Sequence, residues 1–471
     1  MDSAPATSVP DTRQLIEALS RELPAGRLVA DPGVLAAMSH DDAEWAPAGR
    51  AACGVRARSE AEVQSVVRTC ASLRAPIVPR GSGTGLSGGA NAVDGCVILD
   101  VSRMNKVLEI DRDNLVCVVQ PGIVNNDLKA EVAAHGLWYP PDPASAPWSS
   151  IGGNVATNAG GLCCLKYGVT RDYVLGLRAA GGGPVPYGAV TRLGRRTSKG
   201  VAGLDLVGLF VGAEGTLGVV TEITLRLRPA LTGTPRTVVG AFGRLVDAGS
   251  AVSLITRRGL TPSVLELLDH SCLVAVEEWK HLGLRADAHA LLLARVDTPG
   301  DHGETEAGAL AAAMTDAGAL WAEQSTDDVE AEALFDARRL AYPALERLGP
   351  VLTEDVCVPR SAVPAMLASI ESIAAKHGVR IATIAHAGDG NLHPLLVTPP
   401  GDDAARVAAQ AAFEEFLDAA IGLGGTVSGE HGIGLLKRDG MRRELDTGAL
   451  AMQDAIRQSL DPLGIFNPGK G

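Results

Sequence analysis

Three histidines and a glutamate fall in two short, glycine-rich stretches of this 471-residue chain: His386-Ala-Gly-Asp-Gly-Asn391-Leu-His393 and Ser428-Gly-Glu430-His431-Gly432-Ile-Gly434. Asp389-Gly390-Asn391 is turn chemistry, so the two flanking imidazoles are expected to fold back toward one another. Glu430 and His431 lie among Gly429, Gly432 and Gly434, where a permissive backbone can aim both side chains into one cavity. Two imidazoles and a carboxylate can form the inner shell of a divalent metal that keeps open positions. The competing reading is that these are polar loop residues satisfied by backbone groups.

At 471 residues the chain that must position these residues is too long for one typical core, and two domains are expected, with three as the alternative. Hydrophobic residues make up 46% and charged residues 21%, which is ordinary globular composition rather than disorder. The formal net charge of −13 leaves no basic stripe for a phosphate backbone, so no nucleic-acid partner is expected. The eight cysteines show no Cys-x-x-Cys spacing, which argues against a zinc ribbon or an iron–sulfur cluster and for free thiols. Residues 1–11 lack the apolar centre of a signal peptide, and no apolar run reaches bilayer length. A cytoplasmic location, at most peripheral to a membrane, is the expectation.

Helical spacing is read over Thr12–Leu23 and Ala61–Leu73, the latter with Val63, Val66, Val67 and Cys70 on one face. A short strand, Ala75–Pro79, then runs into Arg80-Gly81-Ser82-Gly83-Thr84-Gly85-Leu86-Ser87-Gly88-Gly89, whose backbone N–H groups are free to approach a pyrophosphate. Gly83 to Gly88 matches G-x-G-x-x-G, but the Rossmann unit needs a helix next, and the next element in this chain is a strand-like Cys96–Asp100. The Rossmann reading is set aside. Val107–Val119 reads as strand, turn, strand. Asn125 is expected to cap a helix stopped at Gly136. Two further glycine-rich stretches come next, Ile151–Gly161 (after Pro140–Pro143) and Phe210–Thr221, and long loops of this kind usually carry function. Glu222–Arg228 alternates like a half-exposed strand, and Pro229 marks the domain boundary. Beyond it, strands are read at Thr237–Phe242, His289–Val296 and Val379–Ile384. Helices are read at Ala248–Arg258, Thr305–Ala317, Asp328–Leu348, Ala404–Ile421 and Ala449–Leu460, an α+β second half.

These segments, in this order and without a Rossmann helix, resemble the vanillyl-alcohol-oxidase-like flavoprotein family. The glycolate oxidase/D-lactate dehydrogenase/D-2-hydroxyglutarate dehydrogenase branch is the nearer likeness. The matching residues are Pro79–Gly89, Pro141–Pro143, Ile151–Gly161, Gly212–Thr221, His386–His393, Ser428–Gly434 and Asn467-Pro468-Gly469. The resemblance implies an α+β, two-domain fold: an FAD-binding domain of the PCMH type over 1–229 and a ferredoxin-like α+β cap over 230–471, whose last stretch returns to the flavin. Flavin contacts would come from Pro79, Arg80, Gly81, Ser82, Gly83, Thr84, Gly85, Leu86, Pro141, Asp142, Gly152, Gly153, Asn154, Thr157, Asn158, Gly160, Gly161, Glu214, Gly218, Val220 and Asn467. Covalent relatives carry a histidine about where Thr84 stands, so noncovalent FAD is implied. His386, His393 and Glu430 would bind one divalent metal, zinc or manganese, with His431 as the base and Arg338 gripping the substrate carboxylate. Arg339 would be a solvated neighbour, and Thr353 replaces a lysine that 2-hydroxyglutarate-specific relatives often carry.

The implied activity is oxidation of a small D-2-hydroxyacid, D-lactate or glycolate, to the 2-oxoacid. Electrons would leave to a separate acceptor (a quinone, a cytochrome, an electron-transfer flavoprotein or oxygen), and a homodimer is compatible with this reading. Two alternatives are a transferase resembling alkyl-dihydroxyacetonephosphate synthase and a non-catalytic FAD subunit of a glycolate oxidase complex. Glu430 speaks against the first, whose family has a histidine cluster there. The grouping of His386, His393, Glu430 and His431 speaks against the second.

Overall fold

Alternating and continuous apolar runs build three main sheets. The computed structural model describes residues 11–283, 288–325 and 328–471. The chain separates into two compact units, the first running to Ala159 and joined by Val169–Ala230 and Glu430–Gly471, the second made of Gly160–Gly168 and Leu231–Gly429. The two units are therefore discontinuous in sequence, with one change of unit at 230/231. The last stretch of the chain is part of the first unit, and Gly160 and Gly161 are part of the second.

In the first unit a four-stranded sheet runs in the order Leu28–Val29, Cys53–Arg56, Val97–Asp100, Ile77–Arg80. The helix Glu60–Leu73 is capped by Ser59, whose Oγ accepts from the Glu62 N–H, and it buries Val63, Val66, Val67 and Cys70. Among the described residues no helix lies between Arg80 and Val97, whose strands pair as parallel neighbours, so the glycine loop joins two strands directly. A five-stranded antiparallel sheet has the order Val107–Asp111, Val116–Val119, Val219–Arg226, Val174–Ala180, Val190–Gly194. Val219–Arg226 alternates buried and half-buried positions, as its period of two predicts. Asn125 is not a cap: Val124 holds that position, and the buried Asn125 amide instead donates to Asn154 Oδ1 at 3.0 Å and to the Pro141 carbonyl at 3.4 Å.

The second unit is built on an eight-stranded sheet. Its order is Trp321–Gln324, Arg236–Phe242, Ala290–Val296, Val264–Asp269, Arg380–His386, Asn391–Val397, Val351–Thr353, and Val356–Cys357 also pairs with Asn391–Val397. Helices Leu245–Arg257, His270–Lys280, Gly300–Asp316, Asp328–Glu346, Val363–His377 and Asp403–Gly422 complete it. Register fixes the face on which chemistry can appear. Glu266 lies opposite His386, His386 opposite Asn391, and Ile384 opposite His393. Directly opposed residues share a face, and alternate residues along a strand share it too, so Glu266, His386, Asn391 and His393 all project the same way. Along the same face run Val264, Leu268, Ala382, Ile384, Leu395 and Val397, packed with Phe335, Ala337 and Ala341 of the Asp328–Glu346 helix. Each such large apolar side chain contributes about 1.5–3 kcal/mol on burial. The polar residues occupy one end of a face that is otherwise hydrophobic core.

Candidate active site

The polar end of this face is a closed set of side chains. The strands Arg380–His386 and Asn391–Val397 are joined by Ala387–Gly390, with Asp389 N–H bonded to the His386 carbonyl at 3.0 Å. Gly390 has φ +79°, and a Cβ there would lie 2.1 Å from the Val358 carbonyl oxygen, so glycine is required. The turn brings the imidazoles of His386 and His393 to 5.2 Å between ring centroids, nearly perpendicular at 86°. Both residues are only 4% exposed.

Carboxylates stand behind both histidines. His386 Nδ1 lies 2.7 Å from Glu266 Oε1, and a carboxylate partner favours the proton on Nδ1, which in the neutral ring places the lone pair on Nε2. The other oxygen, Glu266 Oε2, accepts from Arg338 Nε at 2.8 Å. Glu266 is fully buried and Arg338 nearly so. Arg339, the next residue, is exposed and pairs with Asp336. His393 Nδ1 lies 3.7 Å from Asp355 Oδ1. Asp355 is fully buried; its Oδ2 accepts from Ser428 Oγ at 2.9 Å, and its carbonyl accepts from Gly429 N–H at 3.2 Å. A Cβ on Gly429 would come within 2.4 Å of Asn391 Oδ1. Ser428-Gly429 is thus pinned beside the hairpin, and Glu430 is the next residue along the chain. Two imidazoles backed by buried carboxylates are a donor set suited to a divalent cation. Glu266 and Asp355 are site residues the sequence reading missed. Their visible mark is charge inside an apolar run: Glu266 alone in Val264-Leu-Glu-Leu-Leu268, and Asp355 beside Glu354 in Val351–Val358.

Glu430 and His431 open the final stretch of the first unit, where Ser87 Oγ donates to the His431 carbonyl at 3.0 Å. Glu214 sits at φ +49°, and its carboxylate accepts from Ile433 N–H and from Gly434 N–H at 2.8 Å. Burial pushes the Glu214 carboxyl up from its ordinary pKa, opposed by those two N–H groups. Glu214 therefore spends its side chain on the chain's own backbone.

The expected flavin residues of the first unit divide in the same way. Among the described residues the N–H groups of Ser82 through Leu86 make no hydrogen bond, and these residues are half-exposed. A run of unengaged donors in a glycine-rich loop suits a diphosphate. Gly81 packs on Ser150, where a Cβ would lie 2.2 Å from Oγ, and Gly152 packs on Pro121. Arg80 turns its guanidinium to the His40 carbonyl at 2.7 Å, lying across Gly83. Asp142 pairs with Lys129, Thr157 Oγ1 donates to the Gly153 carbonyl, and Asn158 Oδ1 accepts from Arg171 N–H. Asn467 ties loops together, its Nδ2 donating to the carbonyls of Gly89 at 2.9 Å and Glu214 at 2.7 Å. Gly218 has φ +148° against the Ala180 carbonyl, and Val220 is half-buried on its strand.

The first unit thus carries a glycine loop between parallel strands, and the second carries oriented imidazoles and a buried arginine; the class of protein that combines them is an FAD-linked oxidoreductase, as the family matches show. The FAD binding domain family matches residues 51–182, and the family described as FAD linked oxidases, C-terminal domain, matches residues 234–471. The chain belongs to the FAD-linked oxidases, and FAD is its cofactor. It is 41% identical over 414 residues to the glycolate oxidase subunit GlcD of Bacillus subtilis (strain 168), covering 88% of this chain and 87% of that one. It is 32% identical over 473 residues to the D-lactate dehydrogenase of Anaerostipes hadrus, covering 98% and 97%. In fold it is similar to p-cresol methylhydroxylase solved with substrate bound, with a TM-score of 0.81, 16% identity and coverage of 97% and 96%. Among the described residues no helix is long and apolar enough to cross a membrane.

Proposed function

We propose that this chain oxidises a small D-2-hydroxyacid, D-lactate or glycolate, to the 2-oxoacid, with noncovalent FAD and one divalent ion, zinc or manganese. The observation that carries this reading is the pair of buried imidazoles, 5.2 Å apart, with Arg338 joined to one of them through Glu266. FAD, when bound, accepts the hydride from the substrate's α-carbon. A divalent ion held by His386, His393 and Glu430 would lower the pKa of the α-hydroxyl. His386 offers Nε2 because Glu266 occupies the other edge of its ring. Arg338 keeps its terminal nitrogens for the substrate carboxylate, its Nε being bonded to Glu266. His431 takes the hydroxyl proton. Thr353, where a lysine would pair with a distal carboxylate, fits a short acid.

Electrons leave to a separate acceptor, for the chain has no Cys-x-x-Cys cluster motif. The names of the relatives support the substrate class, and the isolated glutamate at position 430 favours redox chemistry over the transferase reading. The test is anaerobic bleaching of the bound flavin by a panel of D- and L-2-hydroxyacids, repeated after chelation. Fast bleaching by D-lactate or glycolate that is lost on chelation and returns with zinc or manganese is expected. No bleaching by any member, or bleaching indifferent to chelation, refutes the reading.

A further inference from the structure

Glu266 touches both halves of the proposed substrate grip. It stands on Val264–Asp269, in cross-strand register with His386, and is fully buried. Its two oxygens diverge to His386 Nδ1 at 2.7 Å and Arg338 Nε at 2.8 Å. A carboxylate in the middle of a buried strand is costly unless every oxygen is used, and here both are. Removing either partner leaves a buried charge short of its mate, a change that typically destabilises strongly. We infer that Glu266 is a positioning residue which couples metal binding to carboxylate binding, by fixing the tautomer of His386 and the plane of the Arg338 guanidinium with one rigid group.

The donor inventory supplies the chemistry. A carboxylate accepts at both ends, so His386 must present Nδ1–H to it and keep its lone pair on Nε2. The same group holds Arg338 through Nε alone, leaving Nη1 and Nη2 as a planar pair. A glutamine of the same shape accepts at one end only. If its oxygen stays with Arg338, its amide donates to His386 Nδ1, and the ring is driven to the Nε2–H form, which offers no lone pair to a cation at that nitrogen. If it turns over, Arg338 Nε faces a second donor and swings away. Either way one half of the grip is lost.

This inference rests on the proposed metal-assisted reading, and the experiment separates the two. Zinc binding is measured by calorimetry on chelated, FAD-loaded protein, for the parent and Glu266→Gln, with KM and kcat for D-lactate or glycolate determined on the reloaded enzymes. The expected results are a 10- to 100-fold weaker zinc affinity, in keeping with loss of a partner behind a ligating histidine, and a KM that rises more than kcat falls. Equal zinc affinity and equal KM in the two proteins overturn the role of Glu266 while leaving the metal reading standing. A parent that binds no zinc overturns both.

Should Glu266→Gln not fold, the unsubstituted chain carries the test. In chelated protein labelled with ¹⁵N-histidine, the His386 signals, identified by their loss in His386→Asn, are expected to show the Nδ1–H form. The Nε2–H form there refutes the inference.

Discussion

Gly390→Ala tests whether the hairpin turn sets the separation of His386 and His393. Alanine at φ +79° takes on the left-handed penalty of about 1–2 kcal/mol. The new Cβ would lie 2.1 Å from the Val358 carbonyl oxygen, inside the 3.0 Å that real contacts respect, so the backbones must part by about an ångström. The bond from Val358 N–H to the Gly390 carbonyl, at 2.9 Å, is the first to lengthen, and its loss removes about 0.5–1.5 kcal/mol. The sum is roughly 1.5–3.5 kcal/mol. For a unit of this size that lowers the melting temperature by roughly 3–14 °C. Gly308→Ala, in the helix Gly300–Asp316, is the control: at an ordinary φ its Cβ would meet nothing within 4 Å. Its effect should stay within about 1 kcal/mol. Calorimetric melting of the holoenzyme variants, with metal content of the same samples, is the assay. Melting of Gly390→Ala within about 2 °C of the parent, on the order of measurement error at this size, would refute the reasoning.

Arg338→Ala should raise KM for every accepted acid while Arg339→Ala, whose exposed partner is Asp336, leaves it unchanged; like behaviour of the two in steady-state assays counts against Arg338. His431→Ala should keep FAD and metal and slow flavin reduction on the order of 10²- to 10⁴-fold in rapid mixing, and loss of metal would make it a ligand instead. Acid precipitation should release the flavin into the supernatant, since Thr84 has no ring nitrogen to hold it covalently; yellow colour in the pellet is the contrary result. Burial pushes the Lys470 ammonium down to about 8, from the ordinary 10.5. The folded state therefore sheds this proton before the unfolded chain does, and the parent should gain up to about 3 kcal/mol relative to Lys470→Met between about pH 8 and 10.5. Parallel denaturation curves for the two proteins across that range would contradict it.

What could be read from the residues was local. The Asp-Gly-Asn turn and the absence of a helix after Gly88 depend on backbone chemistry within a few positions, and the structure has both; the second glycine-rich stretch, read as a loop, is instead a helix over Ile151–Thr157, capped by the Ser150 side chain. The strand Val264–Asp269 is short, has apolar residues on both faces, and passes through Asp269-His270-Ser271 into the helix His270–Lys280 with no glycine or proline between them, so its period was not legible. Its Glu266 takes meaning from a partner 120 residues away, and Asp355 from Ser428, 73 residues away. Asn125 failed as a cap for the same reason: its amide is claimed by Asn154, a tertiary partner that overrides local preference.

The Glu266–Arg338 pair is hard to account for as a source of stability. Its side chains are 0% and 8% exposed, and taking two charges out of water offsets most of what their attraction returns. Apolar residues of like volume would pack against Phe335 and Leu268 with no such cost, as the rest of this face already does. A fold under pressure only to be stable would close the sheet with leucine at both positions. The pair becomes reasonable once the histidine is included. In the proposed reading the Glu266 carboxylate would hold His386 in the Nδ1–H form, and a buried carboxylate needs a counter-charge, which Arg338 would supply while keeping its outer nitrogens for an anion. On the proposed reading the arginine would neutralise the carboxylate when the site is empty and bind substrate when it is filled, so that one carboxylate serves both requirements.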